Sequence, residues 1–442
     1  MKATRKIFYL TPLCALLAAG AAHATNGMLM EGYGPISTGM GGVSQAIDHG
    51  NAGMAQNPAT LGMMADGTAR LDVAFGILGP DVTSSVPAMG MTAKSGGTSY
   101  VMPAFGYTRR SGAYTYGIGM FAQGGMGTEY DGNSFMGAGP AFPARSELGV
   151  GNVIFPIAYQ VNPNLTVGAS LKFMWSSLDI KMNASAAQIG QMVADSGVAP
   201  VNFALPGNTV AANISFSDDN DFTGAAKSTG FGASLGATYK VSPEVVVGAS
   251  YQFKSALNDM ETGGSATTMT LFDNLGGSMV FSGKMTVIDF QMPSVLAAGA
   301  SWQASPSLLM AADVKYIGWA DAMKSFKMRY DSGVSAVNFA MNQNWKDQTV
   351  LNLGMAWKAN DKLTLRAGLN LADNPIPDTY VNPLFPATVK NHVTLGLGYK
   401  VSEVGDFNMS VTMAPKVTVT SDAGVAISHA QTNWQFMYSH RF

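Results

Sequence analysis

Cysteine is all but missing from this 442-residue chain: Cys14 is the only one. It lies near the start, so the rest of the chain has no disulfide framework and no thiolate metal site. Charge is scarce as well. Charged residues make up 12 % and hydrophobic ones 47 %, about half the charged share usual for a soluble domain. The formal net charge of −2 excludes the basic footprint of a nucleic-acid binder. After the first two dozen residues there is no apolar run of about eighteen residues, which excludes a membrane-spanning helix. No H-E-x-x-H motif occurs, and His49, His392, His429 and His440 share no metal-ligand spacing. No catalytic residue, metal site or cofactor is expected.

The first 24 residues read as a secretory signal. Lys2, Arg5 and Lys6 form its basic start, Ile7 to Ala19 its apolar centre, and Ala22-His23-Ala24 a cleavage site. Thr25 would then begin the mature chain. From 25 to 67 the sequence is rich in Gly and Met and has no period of two, which predicts a compact irregular segment with short helical turns. From Thr68 onward, apolar and small polar residues alternate in run after run, as in Leu165–Trp175, Phe231–Val241, Leu351–Lys358 and Val393–Val401. Alternation of this kind marks strands with two unlike faces. In the last stretch Trp434, Phe436, Tyr438 and Phe442 share one face, and Gln431, Asn433, Gln435 and Ser439 the other. A soluble sheet turns such an aromatic face inward, whereas a membrane barrel turns it to lipid.

The connections decide between these. Arg110-Ser111-Gly112, Asn162-Pro163-Asn164, Ser242-Pro243-Glu244, Ala304-Ser305-Pro306, Asn360-Asp361 and 402–405 read as tight turns. They alternate strictly with long connections near 79–97, 123–144, 181–225, 258–282, 320–346, 372–388 and 421–429. Such segregation fits an outer-membrane barrel with short turns on one side and long loops on the other. The expected fold is therefore all-β: a fourteen-stranded antiparallel transmembrane barrel over 68–442, with 25–67 as a plug inside it.

Several stretches make the chain similar to a known family. Thr25-Asn26-Gly27, Ala52 to Ala59 (AGMAQNPA, with Asn57-Pro58-Ala59), Gly124 to Tyr130 (GGMGTEY), Asn374-Pro375-Ile376-Pro377, Asn391 to Gly396 and the terminal Phe442 resemble the FadL/TodX family of outer-membrane transporters for hydrophobic compounds. The resemblance implies a bacterial outer-membrane location and a monomeric barrel with an N-terminal hatch. It also implies uptake of fatty acids or hydrocarbons, with ligand and membrane lipid as the only partners and no nucleic acid. Ligand would be captured by external loops, passed to a pocket beside Thr25, Asn26 and Gly27, and released sideways through a kink in the third strand. By position that kink falls at Gly124 and Gly125, which read equally as the start of an external loop. Ile189 and Met192, and Met269, Phe272 and Leu275, recur at helical spacing in two long loops. They read either as lips of an external groove or as residues packing the loops together. Arg145, Lys315, Arg329 and Arg366 are candidate anchors for a carboxylate, and no motif selects among them. A general aqueous porin or a structural barrel is the competing function.

Overall fold

The computed structural model describes residues 26–220 and 222–442. The signal sequence, its cleavage site and Thr25 lie outside the described residues. One antiparallel sheet closes on itself. Its circuit runs through β1 (Ala69–Val86), β3 (Tyr100–Ser111), β4 (Tyr114–Tyr130), β5 (Ala144–Gln160), β6 (Leu165–Ser185), β8 (Ala226–Lys240) and β9 (Val245–Gln252). It continues through β14 (Val295–Ser305), β15 (Leu308–Ile317), β18 (Gln348–Lys358), β19 (Leu363–Ala372), β20 (His392–Lys400), β21 (Gly405–Thr420) and β22 (Ala426–Arg441). β22 pairs with β1 from Arg70–Arg441 to Ser85–Ala426 and so removes the free edge. A closed sheet whose backbone groups pair with neighbouring strands can lie in hydrocarbon.

The expected strand count is corrected: the sheet contains 22 strands, not fourteen. Segments read as irregular loops are themselves paired. They are β2 (Met91–Lys94), β7 (Thr209–Phe216), β10 (Ala256–Leu257), β11 (Met260–Glu261), β12 (Thr267–Asp273), β13 (Ser278–Ile288), β16 (Ser325–Asp331) and β17 (Ala336–Asn342). The far end of β6 leads into β7, and the pairing passes on through β12, β13, β16 and β17. The reason is local. TVAANISF and TTMTLFD are rich in β-branched and aromatic residues that favour a pleated surface. The helix Ala186–Asp195 packs beside β17, and its start is a capping box between Ser185 and Gln188.

The two strand faces are inverted relative to a soluble protein. On β22, Trp434 and Tyr438 are 39 % and 44 % exposed, while Asn433 and Ser439 are 3 % and 6 % exposed. Exposed Tyr114, Tyr159, Tyr239, Trp357, Tyr399 and Tyr438 stand beside the short turns, as in an interfacial aromatic girdle. Among the described residues no helix is long and apolar enough to cross a membrane.

The leading segment 26–67 fills the interior. It consists of a turn, the short helix Gly34–Thr38 and two 3-10 helices, Gly50–Ala55 and Pro58–Met63. The strands hold it by complementary polarity. Asp313 Oδ2 accepts the Ser44 and Gln45 N–H groups at 2.6 and 3.1 Å, and Asp72 Oδ2 accepts Asn51 N–H at 2.7 Å. Lys315 Nζ donates to the Glu31 and Gly42 carbonyls, both at 3.1 Å, and Arg110 Nη1 to those of Gly62 and Met64. Hydrogen bonds to charged groups contribute about 1.5–3 kcal/mol each. Asn57 caps the second 3-10 helix by accepting Ala59 N–H, and its amide donates to Gln45 O and Ala237 O. Gly41, at φ +71°, lies so close to the β18 and β19 backbones that a Cβ would strike the Leu353 and Leu369 carbonyls.

Candidate functional site

Beside the first described residues the wall is incomplete. The β3–β4 ladder runs from Ser111–Tyr114 only as far as Phe105–Met120, so Phe121 and the residues after it have no partner in β3. Within the unpaired part of β3 lies Pro103, which has no N–H to donate and suits a strand edge. On its other side β4 slips register against β5 between Ala122 and Gly124. Gln123 is the extra residue of this bulge, and a bulge bends its strand. The leading segment occupies the gap. Leu29 forms an isolated antiparallel bridge with Gly124, and Gly125 N–H donates to Met28 O at 3.2 Å. Tyr33 Oη donates to Gln123 O at 2.8 Å, and its ring meets Phe121 edge-on at 6.4 Å. A Cβ on Gly124 would collide with the Met28 carbonyl, so glycine is required there by close backbone approach.

Beside this gap lies a cavity of about 350 Å³. Its walls come from Gly27 to Glu31, from Tyr100 to Pro103 on β3, from the β4 bulge region, from Glu147 to Gly151 on β5, and from His429, Gln431 and Asn433 on β22. Met28, Met30, Met102, Met120 and Met126 supply much of the lining, and flexible thioether side chains can adapt to ligands of different outline. A smaller space of about 40 Å³ continues along the unpaired β3 edge past Phe75 and Phe105. Both are large apolar residues exposed on the outer face.

The residues singled out from sequence separate into two groups. Gly27 lines the cavity in a turn at φ +66°, and a Cβ there would lie 2.8 Å from Trp319. Asn26 donates to Met30 O at 3.2 Å and borders a third space of about 60 Å³. Gly124 and Gly125 line the cavity at the bulge. The other group lies elsewhere. Ile189 is wholly buried and Met192 half-buried in loop packing, Phe272 meets Phe142 edge-on at 5.0 Å, and Leu275 is 87 % exposed. None of these four lines the cavity. The helical spacing read over Met269, Phe272 and Leu275 is corrected: the first two lie on β12 and the third in the turn that follows. Asn57, Pro58 and Ala59 fasten the leading segment at the opposite end, away from the cavity.

Three of the four proposed carboxylate anchors are engaged in structure, while Arg366 lies on β19 away from the cavity with its Nη1 buried and without a hydrogen-bond partner. Arg145 pairs with Glu129 and Glu147 at 3.2 and 2.6 Å, Arg329 with Asp331 at 3.1 Å, and Lys315 holds the leading segment. No Lys or Arg lines the 350 Å³ cavity. Sequence reading missed Tyr33, Pro103, Gln123, Trp319, Trp345 and His429. Pro103 inside the strand run YVMPAFGY was the one available signal of an edge. The run Gly232-Ala233-Ser234-Leu235-Gly236 fits G-x-S-x-G spacing, but it lies within β8 with Ser234 buried, not on a strand-to-helix turn.

The sequence profile of the family described as outer membrane protein transport protein (OMPP1/FadL/TodX) matches residues 14–440. The chain belongs to this family. It is an outer-membrane transport protein, and FadL/TodX relatives resemble it over nearly their whole length. The crystal structure of the Pseudomonas putida toluene transporter TodX superposes with a TM-score of 0.83 at 31 % identity, covering 93 % of this chain and 99 % of that one. Outer membrane protein P1 of Haemophilus influenzae is 23 % identical over 95 % of this chain and 97 % of its own length. An uncharacterized Chlorobium limicola protein is 46 % identical over 86 residues, and there the chain spans only 41 % of the relative's length.

Proposed function

We propose that the protein takes up small hydrophobic molecules passively across the outer membrane, with residues 26–67 as a hatch and the β3–β4 gap as a lateral exit. The carrying observation is that a methionine-lined cavity of about 350 Å³ lies against both Gly27–Glu31 and the edge of β3 left unpaired by β4. Ligand entering from the long-connection end reaches the cavity beside Gly27–Glu31. It leaves between β3 and β4 at the Gln123 bulge, where Gly124 and Gly125 give the strand least side-chain bulk. Transfer into hydrocarbon releases about 25 cal/mol per Å² of apolar surface taken from water, so no coupled energy source is needed. Likeness to a toluene transporter supports small aromatic compounds as the ligand class.

Deleting residues 26–67 tests the hatch in proteoliposomes. The expected result is faster leakage of a small sugar together with loss of saturable toluene uptake. A deletion variant that folds, stays sugar-tight and takes up toluene normally refutes the reading.

A further inference from the structure

The cavity carries a polar feature that a plain hydrocarbon does not use. His429 lines it from β22, and the ring is nearly inaccessible to solvent. Its Nδ1 lies 2.7 Å from Pro386 O. A carbonyl can only accept, so Nδ1 carries the proton and Nε2 presents a lone pair. That Nε2 is buried without a hydrogen-bond partner, a condition folded proteins rarely leave uncompensated. Glu31 borders the same cavity, and its Oε1 is likewise buried without a hydrogen-bond partner. Both atoms are acceptors. The one other carboxylate of the lining, Glu147, is paired with Arg145 at 2.6 Å. No Lys or Arg lines this apolar space, which disfavours an ionised fatty acid because its charge would be buried without a cation beside it.

We propose that the ligand class is a neutral aromatic bearing one O–H donor, a phenol-type molecule, whose hydroxyl donates to His429 Nε2 while the ring lies among the methionines. The proposal rests on the uptake reading above and narrows it, since a site that hydrogen-bonds a hydroxyl discriminates against the analogue lacking one.

The test compares p-cresol with p-xylene, which differ by a hydroxyl in place of a methyl of similar size. Equilibrium dialysis of the full-length protein in detergent measures both affinities. The expected preference for p-cresol is about three- to tenfold, the range of one net hydrogen bond. In His429→Phe the ratio of the two affinities falls to about one. Because the ratio is internal to each protein, p-xylene binding also reports that the variant is folded. Should His429→Phe not fold, His429→Leu is read in the same way. Equal binding of both compounds by the unaltered protein, or a preference that survives loss of the imidazole, overturns the proposal and leaves hydrophobic uptake standing. Binding of neither compound removes the uptake reading itself and this proposal with it.

Discussion

Replacing Gly124 with alanine is a small change that strikes the junction between Met28–Leu29 and the wall. A Cβ at this position falls on the Met28 carbonyl. The Leu29–Gly124 bridge and the 3.2 Å bond from Gly125 N–H to Met28 O cannot both survive it. Loss of one hydrogen bond costs about 1 kcal/mol, and displacing a packed backbone adds a similar amount, for about 2 kcal/mol in all. The remaining strand is little affected, because β4 keeps its ladder with β5 on the other side. The consequence is local: the equilibrium for undocking residues 28–29 shifts about thirtyfold. Met28 is 3 % exposed, and Cys14, the one native cysteine, precedes the described residues. A Met28→Cys variant thus reports undocking through its rate of maleimide labelling, which follows the open population when closing is fast. Gly149→Ala is the control, since its Cβ would meet only Ser177 Oγ at an ordinary 3.7 Å. Labelling should accelerate about thirtyfold in Gly124→Ala and stay unchanged in the control, with the same heat-induced unfolding in both. Equal labelling in the two would mean that backbone docking at Gly124 does not hold the segment.

Two further outcomes follow from the leading segment. His49 is buried there, with Nδ1 3.1 Å from Ile47 O and Nε2 without a hydrogen-bond partner, and burial holds its pKa at about 4. A released segment takes up a proton that the docked one refuses, so docking weakens as pH falls from about 6.5 to about 4, by up to roughly 3 kcal/mol. A nitroxide on Met63→Cys should become mobile across that window, and His49→Gln should remove the transition. Tyr33→Phe deletes the donor to Gln123 O, about 1 kcal/mol of local support. Hydrogen exchange at the Gly125 amide should rise about fivefold, and an unchanged rate would detach Tyr33 from the bulge.

What was legible in the sequence was whatever a strand states about itself. The two faces of 431–442 are explicit, because alternation fixes them once the barrel is known to face lipid. Gly124 and Gly125 were reached by position from the family resemblance, and the register slip lies between Ala122 and Gly124. The long connections were misread for a physical reason. Met269 and Phe272 are three apart, a spacing that a helix turn and an irregular strand both allow, while Thr267, Thr268 and Thr270 favoured strand. His429 carried no signal, since its significance depends on β22 closing against β1 and on Pro386 reaching its Nδ1. The anchoring carboxylates Asp72 and Asp313 were illegible for the same reason: their partners lie 21 and 269 residues away in sequence.

A gap in the wall of a membrane barrel should be costly, because lipid offers nothing to unpaired peptide groups. Three features offset that cost at β3–β4. Pro103 has no N–H to leave unpaired. The Gly125 N–H is taken by Met28 O, and the carbonyl of the bulged Gln123 is taken by the Tyr33 hydroxyl. Two of the three come from the leading segment. The segment proposed as the hatch is thus the same one that satisfies the strand edges at the β3–β4 gap. Its retreat would clear the cavity and, in the same movement, leave those edges unpaired until a ligand, water or lipid covers them. On the proposed reading, hatch and exit are coupled through two hydrogen bonds, and weakening either bond should favour opening of both.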